Sequence, residues 1–147
     1  MNTKICFDLD GTLCGLYDVP NWLFYLENEM TFPYENAKPL VNLSRLARYL
    51  NQIQRNGFDI AVISWTSKSG SEDYHNAVVE AKMRWLKKHL PSVSWDEIHI
   101  VPYGTPKTCF CNSLFDVLFD DEERNRNTWD GVACTEKEIF EMLKIFS

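Results

Sequence analysis

Apolar residues recur along the chain in two alternating rhythms. Short, nearly continuous apolar runs cover residues 3–9 (Thr-Lys-Ile-Cys-Phe-Asp-Leu), 58–64 (Phe-Asp-Ile-Ala-Val-Ile-Ser), 97–102 and 115–119, with a further short run near 131–134. Runs of this length, bounded by turn residues, predict buried strands. Between them the apolar positions fall at helical spacing. Leu40, Leu43, Leu46, Ala47, Leu50 and Ile53 mark one face of a helix over 40–56, and Gly57 follows as its stop signal. A second helix is predicted over about 72–90, stopped by Pro91, and a third from 136 onward. Thr135 and Glu138 have the spacing of a capping box at the start of that last helix.

Strands apolar on both faces and separated by amphipathic helices predict a parallel sheet covered on both sides. Right-handed crossovers then make a doubly wound, three-layer α/β arrangement the default topology. In such sheets ligands bind beyond the carboxyl ends of the strands, so chemistry is expected in the residues just past each run.

Those strand ends are polar. Asp8, Asp10, Gly11 and Thr12 follow the first, Ser64 and Thr66 the second; Lys107 lies past the third, and Asp120 and Asp121 close the fourth. Asp8 and Asp10, two apart where a strand stops, can both project to one side. Carboxylates crowded there repel one another unless a cation joins them. Mg²⁺, a hard ion that binds one or two carboxylates together with substrate phosphate, is the natural partner. Ser64 and Thr66 add hydroxyls and Lys107 an ammonium, all suited to phosphate oxygens, and together the groups describe an electrostatic clamp for phosphoryl transfer. Each has a plainer reading when taken singly. Asp10-Gly11 can be a turn, Asp120-Asp121 the cap of a helix starting at Glu122, Ser64 a strand-end hydroxyl and Lys107 a surface lysine. Their coincidence at the ligand-binding edge favours a site over four unrelated turns.

Composition narrows the picture. The 147 residues fit one domain spanning 1–147, and the 45% apolar and 24% charged fractions are those of an ordinary globular protein rather than a disordered one. A net charge of −6 counts against a dedicated nucleic-acid binder. The basic run Lys82, Arg84, Lys87, Lys88 and His89 on the second helix reads as a solvated face. The five cysteines are odd in number and read as free thiols of a reducing, cytoplasmic compartment. Cys109 and Cys111 are spaced too closely for a usual structural zinc pair. No apolar run approaches membrane-spanning length, and Asp8 and Asp10 interrupt the N-terminal one, so neither a membrane span nor a signal peptide is expected.

Phe7-Asp8-Leu9-Asp10-Gly11-Thr12-Leu13 resembles motif I of the haloacid dehalogenase (HAD) superfamily, D-x-D-G-T. Ser64 after Ile60-Ala61-Val62-Ile63 resembles motif II, Lys107 the motif III lysine, and Leu118-Phe119-Asp120-Asp121 motif IV in its DD form. The set runs in the family's order across residues 7–121, and the local sequences around Ser64 and Asp120 are similar to the small magnesium-dependent phosphatases of the superfamily. The resemblance implies a Rossmannoid fold and a Mg²⁺-dependent phosphatase. In it Asp8 is the nucleophile that becomes an aspartyl-phosphate, and Asp10 is the acid and base. Asp8, the Asp10 carbonyl and Asp121 would hold the metal, with Asp120 in support. Ser64, Thr66 and Lys107 would meet the phosphate. An acid at position 10 suits ester chemistry better than dehalogenation.

Family members usually choose substrates with a cap domain. Here the segment after the first strand, about 14–38, is too short for a full cap, and the stretch between motifs II and III is filled by a core helix and strand. The short segment is instead an aromatic flap that includes Tyr17, Trp22, Phe24, Tyr25, Phe32 and Tyr34. Packing is its ordinary reading; an aromatic wall for a base, a sugar or a partner chain is the functional one. The expected partner is a phosphate ester, small or macromolecular. A nucleotide or nucleic-acid-end phosphatase is the alternative within the enzyme class, and an inactive phosphate- or partner-binding module the alternative outside it.

Overall fold

The computed structural model describes residues 2–147. Strands β1 (Lys4–Phe7), β2 (Asp59–Trp65), β3 (Glu97–Val101), β4 (Val117–Phe119) and β5 (Val132–Cys134) form one sheet in the order β3-β2-β1-β4-β5, with every neighbouring pair parallel. The fold is thus α/β with a wholly parallel sheet. The chain moves outward from β1 to β2 and β3, then crosses back to lay β4 on the far side of β1. That reversal opens a crevice over the carboxyl ends of β1 and β4, where such sheets bind ligands. Register brings the candidate residues together: Phe7 lies opposite both Val62 and Phe119, and the Asp8 N–H donates to the Phe119 carbonyl at 3.0 Å.

Among the described residues six α-helices accompany the sheet: α1 (Trp22–Glu27), α2 (Phe32–Asn36), α3 (Leu43–Arg55), α4 (Glu72–His89), α5 (Glu123–Thr128) and α6 (Ile139–Phe146). The side chains of Asn42 and Ser71 cap α3 and α4, accepting from Arg45 N at 3.0 Å and Tyr74 N at 3.1 Å. Acidic Glu72 and Asp73 in the first turn of α4 and basic Lys87, Lys88 and His89 in its last turn suit the helix dipole. The predicted helix over 40–56 begins three residues late. Leu40 donates its N–H to the Leu13 carbonyl at 2.9 Å and Pro39 bridges Cys14, so this stretch is tied to the segment after β1 before Asn42 caps the helix. The Thr135–Glu138 capping box is present, and it opens a 3₁₀ turn that runs into α6.

The two faces of the sheet are covered unequally. Ile5, Phe7, Ile60, Val62 and Phe119 point to one side and pack with Leu46, Leu50 and Ile53 of α3, Trp85 and Leu86 of α4 and Leu143 of α6. Cys6, Ala61, Ile63 and Leu118, the alternate positions, meet a smaller cover of Trp129 and Phe110. No helix among the described residues is long and apolar enough to cross a membrane.

Candidate active site

β1 ends in a tight turn. The Leu9 carbonyl accepts from the N–H groups of Thr12, Leu13 and Cys14 at 3.0, 2.9 and 2.9 Å. Gly11 has a φ of +83°, and a β-carbon there would strike the Asp121 carboxylate, so two requirements fall on one glycine. The turn keeps Asp8 at the strand end and lets the β4 end close over it. Asp8, Asp120 and Asp121 each offer an oxygen within 4.8 Å of the others.

Lys107, in a 3₁₀ turn after β3, is buried between two of these carboxylates. Its Nζ donates to Asp8 Oδ1 at 2.9 Å and to Asp120 Oδ2 at 2.7 Å. Thr12 Oγ1 donates to Asp8 Oδ2 at 3.0 Å. Asp120 is fully buried and fully engaged, accepting also from Glu122 N at 2.9 Å and Asn125 Nδ2 at 3.1 Å. Asp121 is less engaged: Thr12 Oγ1 approaches it at a long 3.4 Å, and its carboxyl group meets that of Asp8. This difference makes Asp121 the better placed of the pair to meet an ion, with Asp120 holding Lys107.

The charges confirm that the cluster is short of positive charge. Burial first, then the hydrogen bond and charge of Asp8 and the charge of Asp120, push Asp121 up to about 8. Burial and the Asp8 charge raise Asp120 as well, although Lys107 opposes them. Burial works against the Lys107 ammonium, yet Asp8 and Asp120 outweigh it and raise its pKa. One ammonium among three carboxylates leaves an all-oxygen donor set in which a hard divalent cation fits.

Asp10 lines the same cleft with a side chain that is 16% exposed. Burial raises its pKa and Lys82 opposes the rise. Lys82 corrects the reading of its basic run as a solvated face. It is 2% exposed, in the middle of α4, and its Nζ bonds Asp10 Oδ2 at 2.8 Å. Arg84 in the same run stays exposed. A signal for this did exist: Lys82 stands four residues after Val78 and three before Trp85, within the stripe that α4 buries.

The two hydroxyl candidates part company. Thr66 lines the cleft, with Oγ1 3.0 Å from His75 Nδ1. Ser64 is fully buried, does not line the cleft, and accepts from Lys82 Nζ at 2.7 Å.

The cleft has a volume of about 380 Å³, within the range of small-molecule sites. The flap supplies one wall through Tyr17, Trp22 and Leu26, and Trp65 with Tyr103 supplies another. Trp65 and Tyr103 pack at a ring-centroid distance of 4.9 Å, and the Arg124 guanidinium lies 4.8 Å from the Trp65 centroid. Burial differs along the flap, although Leu16 and Tyr34 also line the cleft. Leu16 and Tyr34 are buried against Tyr74, Val78 and Ala81, whereas Tyr17, Leu23 and Phe24 are exposed. The flap is tied to the start of α4, where Ser71 N donates to Glu29 Oε1 at 2.7 Å and Tyr74 OH to the Met30 carbonyl at 3.0 Å.

The arrangement is that of an α/β fold with an acidic ligand edge. Several solved structures share the fold. A D,D-heptose 1,7-bisphosphate phosphatase from Burkholderia thailandensis matches with a TM-score of 0.50 and 12% identity, over 86% of this chain and 70% of that one. A chain of a Pnkp1/Rnl/Hen1 complex matches with a TM-score of 0.52 and 20% identity, over 91% of this chain and 45% of that one. The present chain therefore spans less than half of the second. At these identities the likeness is one of fold. No family model and no curated protein sequence matches the chain.

Proposed function

We propose that the chain is a Mg²⁺-dependent phosphomonoester hydrolase that works through an aspartyl-phosphate on Asp8. The observation that carries this reading is the convergence of Asp8, Asp120 and Asp121 at one point, with Lys107 bonded to two of them. Asp8, Asp121 and the main-chain carbonyl of Asp10 would hold the ion, with Asp120 supporting them through Lys107. Mg²⁺ bound there would offset the negative charge of ester and carboxylate alike.

The chain's own groups divide the remaining work. A carboxylate oxygen of Asp8 attacks phosphorus, the P–O ester bond breaks, and Asp10 gives its proton to the departing oxygen. Asp10 then takes a proton from the water that attacks the same phosphorus, and phosphate leaves with Asp8 restored. Lys107 holds Asp8 in place and offsets the charge that develops on the phosphoryl oxygens. Thr66, which faces the cleft, donates to one of those oxygens. A panel of phosphomonoesters assayed with and without Mg²⁺ tests the reading. Turnover that needs both the ion and Asp8 is expected, and turnover indifferent to either would remove it.

A second reading, a nucleotide or nucleic-acid-end phosphatase, is favoured by the aromatic walls. Trp22 and Tyr17 of the flap line the cleft together with Trp65 and Tyr103, and such aromatic lining suits stacking on a base. Nucleoside monophosphates in the same panel, hydrolysed with a lower KM than alkyl phosphates, would support it.

A further inference from the structure

The buried lysine of α4 has no role in the chemistry above. An ammonium has three hydrogens to donate, and Lys82 has three acceptors: Asp10 Oδ2 at 2.8 Å, Ser64 Oγ at 2.7 Å and the Trp65 carbonyl at 2.5 Å. The Tyr34 ring lies on it, 5.2 Å from Nζ to centroid. Every donor is used within the protein, so none remains for a phosphate oxygen. Two of the acceptors belong to the carboxyl end of β2, a rigid strand, and the third is the carboxylate of Asp10, on a turn. Among the described residues Oδ1 of Asp10 takes no hydrogen bond, while Asp10 lines the cleft. One oxygen is pinned and the other is left for the leaving group.

We propose that Lys82 and Ser64 are positioning residues for Asp10. Lys82 ties the acid to the end of β2, and Ser64 serves as the lysine's anchor rather than as a contact to phosphate, a task left to Thr66. The proposal rests on the reading of Asp10 as the acid in ester hydrolysis.

The test compares kcat/KM for p-nitrophenyl phosphate, whose leaving group needs little help from an acid, with that for glycerol phosphate, whose alkoxide does. With Mg²⁺ present, K82M is expected to lower the glycerol phosphate value about tenfold or more beyond any loss on p-nitrophenyl phosphate, as expected for misplacing a general acid. S64A is expected to shift the ratio the same way by less. In a D10N background K82M should add no further change in the ratio, because neighbours acting through one group are not additive. Equal losses on both substrates, or full additivity with D10N, would overturn the proposal. So would S64A raising KM for both esters with the ratio unchanged. If K82M does not fold, K82R keeps the charge but not the three convergent bonds, and an unchanged ratio there would overturn the proposal too. A crystal structure of either variant should show the Asp10 carboxylate turned from its present position, and an unmoved carboxylate contradicts the role. Failure of wild type to hydrolyse either ester would remove the phosphatase reading instead, and the position of Asp10 in the variant would still decide the positioning claim.

Discussion

Two buried lysines serve this cleft from different parts of the molecule, and they are held differently. Lys107 comes from a turn beyond β3 and sits between two carboxylates, Asp8 and Asp120, one of which is the candidate nucleophile. Lys82 comes from the middle of α4 and meets one carboxylate, one hydroxyl and one carbonyl. Lys107 lines the cleft beside Asp8 and is placed to act on charge there; Lys82, with its donors saturated, acts on the placement of Asp10. Burying an ammonium is costly unless it is paired and hydrogen-bonded. Each lysine meets that condition, and each is therefore linked to the acid it contacts.

The largest effect that would probe this contrast is removal of the group Lys107 serves. D8N should abolish turnover of every phosphomonoester while the protein remains folded by circular dichroism, because the attacking carboxylate is gone. K107M comes next. It strips an electrostatic stabiliser and leaves Asp8 and Asp120 facing each other uncompensated, and a fall in kcat of about 10²–10³ on all esters is expected. A loss under K107M that depended on the leaving group, as expected for K82M, would erase the distinction between the two lysines. T66A is smaller, with a rise in KM of about tenfold and kcat changed less, as for one charge-assisted hydrogen bond to the ester. Unchanged KM would remove Thr66 from the phosphate site.

The smallest effect is on stability. Asp121 is held at about 8 in the folded chain against an ordinary value of 3.8. Between those values the folded state binds the extra proton, so without metal the stability this group contributes is present below the ordinary value and declines as pH rises through the folded one. Mg²⁺ that replaces the proton should raise Tm more at about pH 8 than at about pH 5. An equal rise at both, read by differential scanning calorimetry, would place the ion elsewhere.

The contrast between the lysines also explains what could be read in the sequence. Asp8, Asp10, Asp120 and Asp121 stand just past strands and Lys107 in the turn that follows β3, and a parallel sheet gathers its strand ends at one edge, so their meeting follows from topology. The parallel sheet and the helices α3, α4 and α6 were legible too, since each of those runs kept one period, whereas the order of the strands and the short helices of the flap were not. Lys82 was not, because a lysine amid other basic residues on a helix reads as solvated, and only tertiary packing of α4 over β2 turns that position inward. The Ser64 and Thr66 distinction was hidden too. Both lie at the β2 end, and which hydroxyl faces the cleft depends on the partner beneath it, here Lys82. The start of α3 shifted from 40 to 43 because a long-range main-chain bond from Leu40 to Leu13 competed with helix formation, a contact outside any local window.

The central claim is covalent: Asp8 carries the phosphoryl group. Rapid quenching of the enzyme during turnover with Mg²⁺, followed by borohydride reduction and peptide mass spectrometry, reads it directly. Conversion of Asp8 to homoserine, absent in D8N and absent without ester, is the result expected. Turnover with no modification at Asp8, or with the label on another carboxylate, would contradict the account.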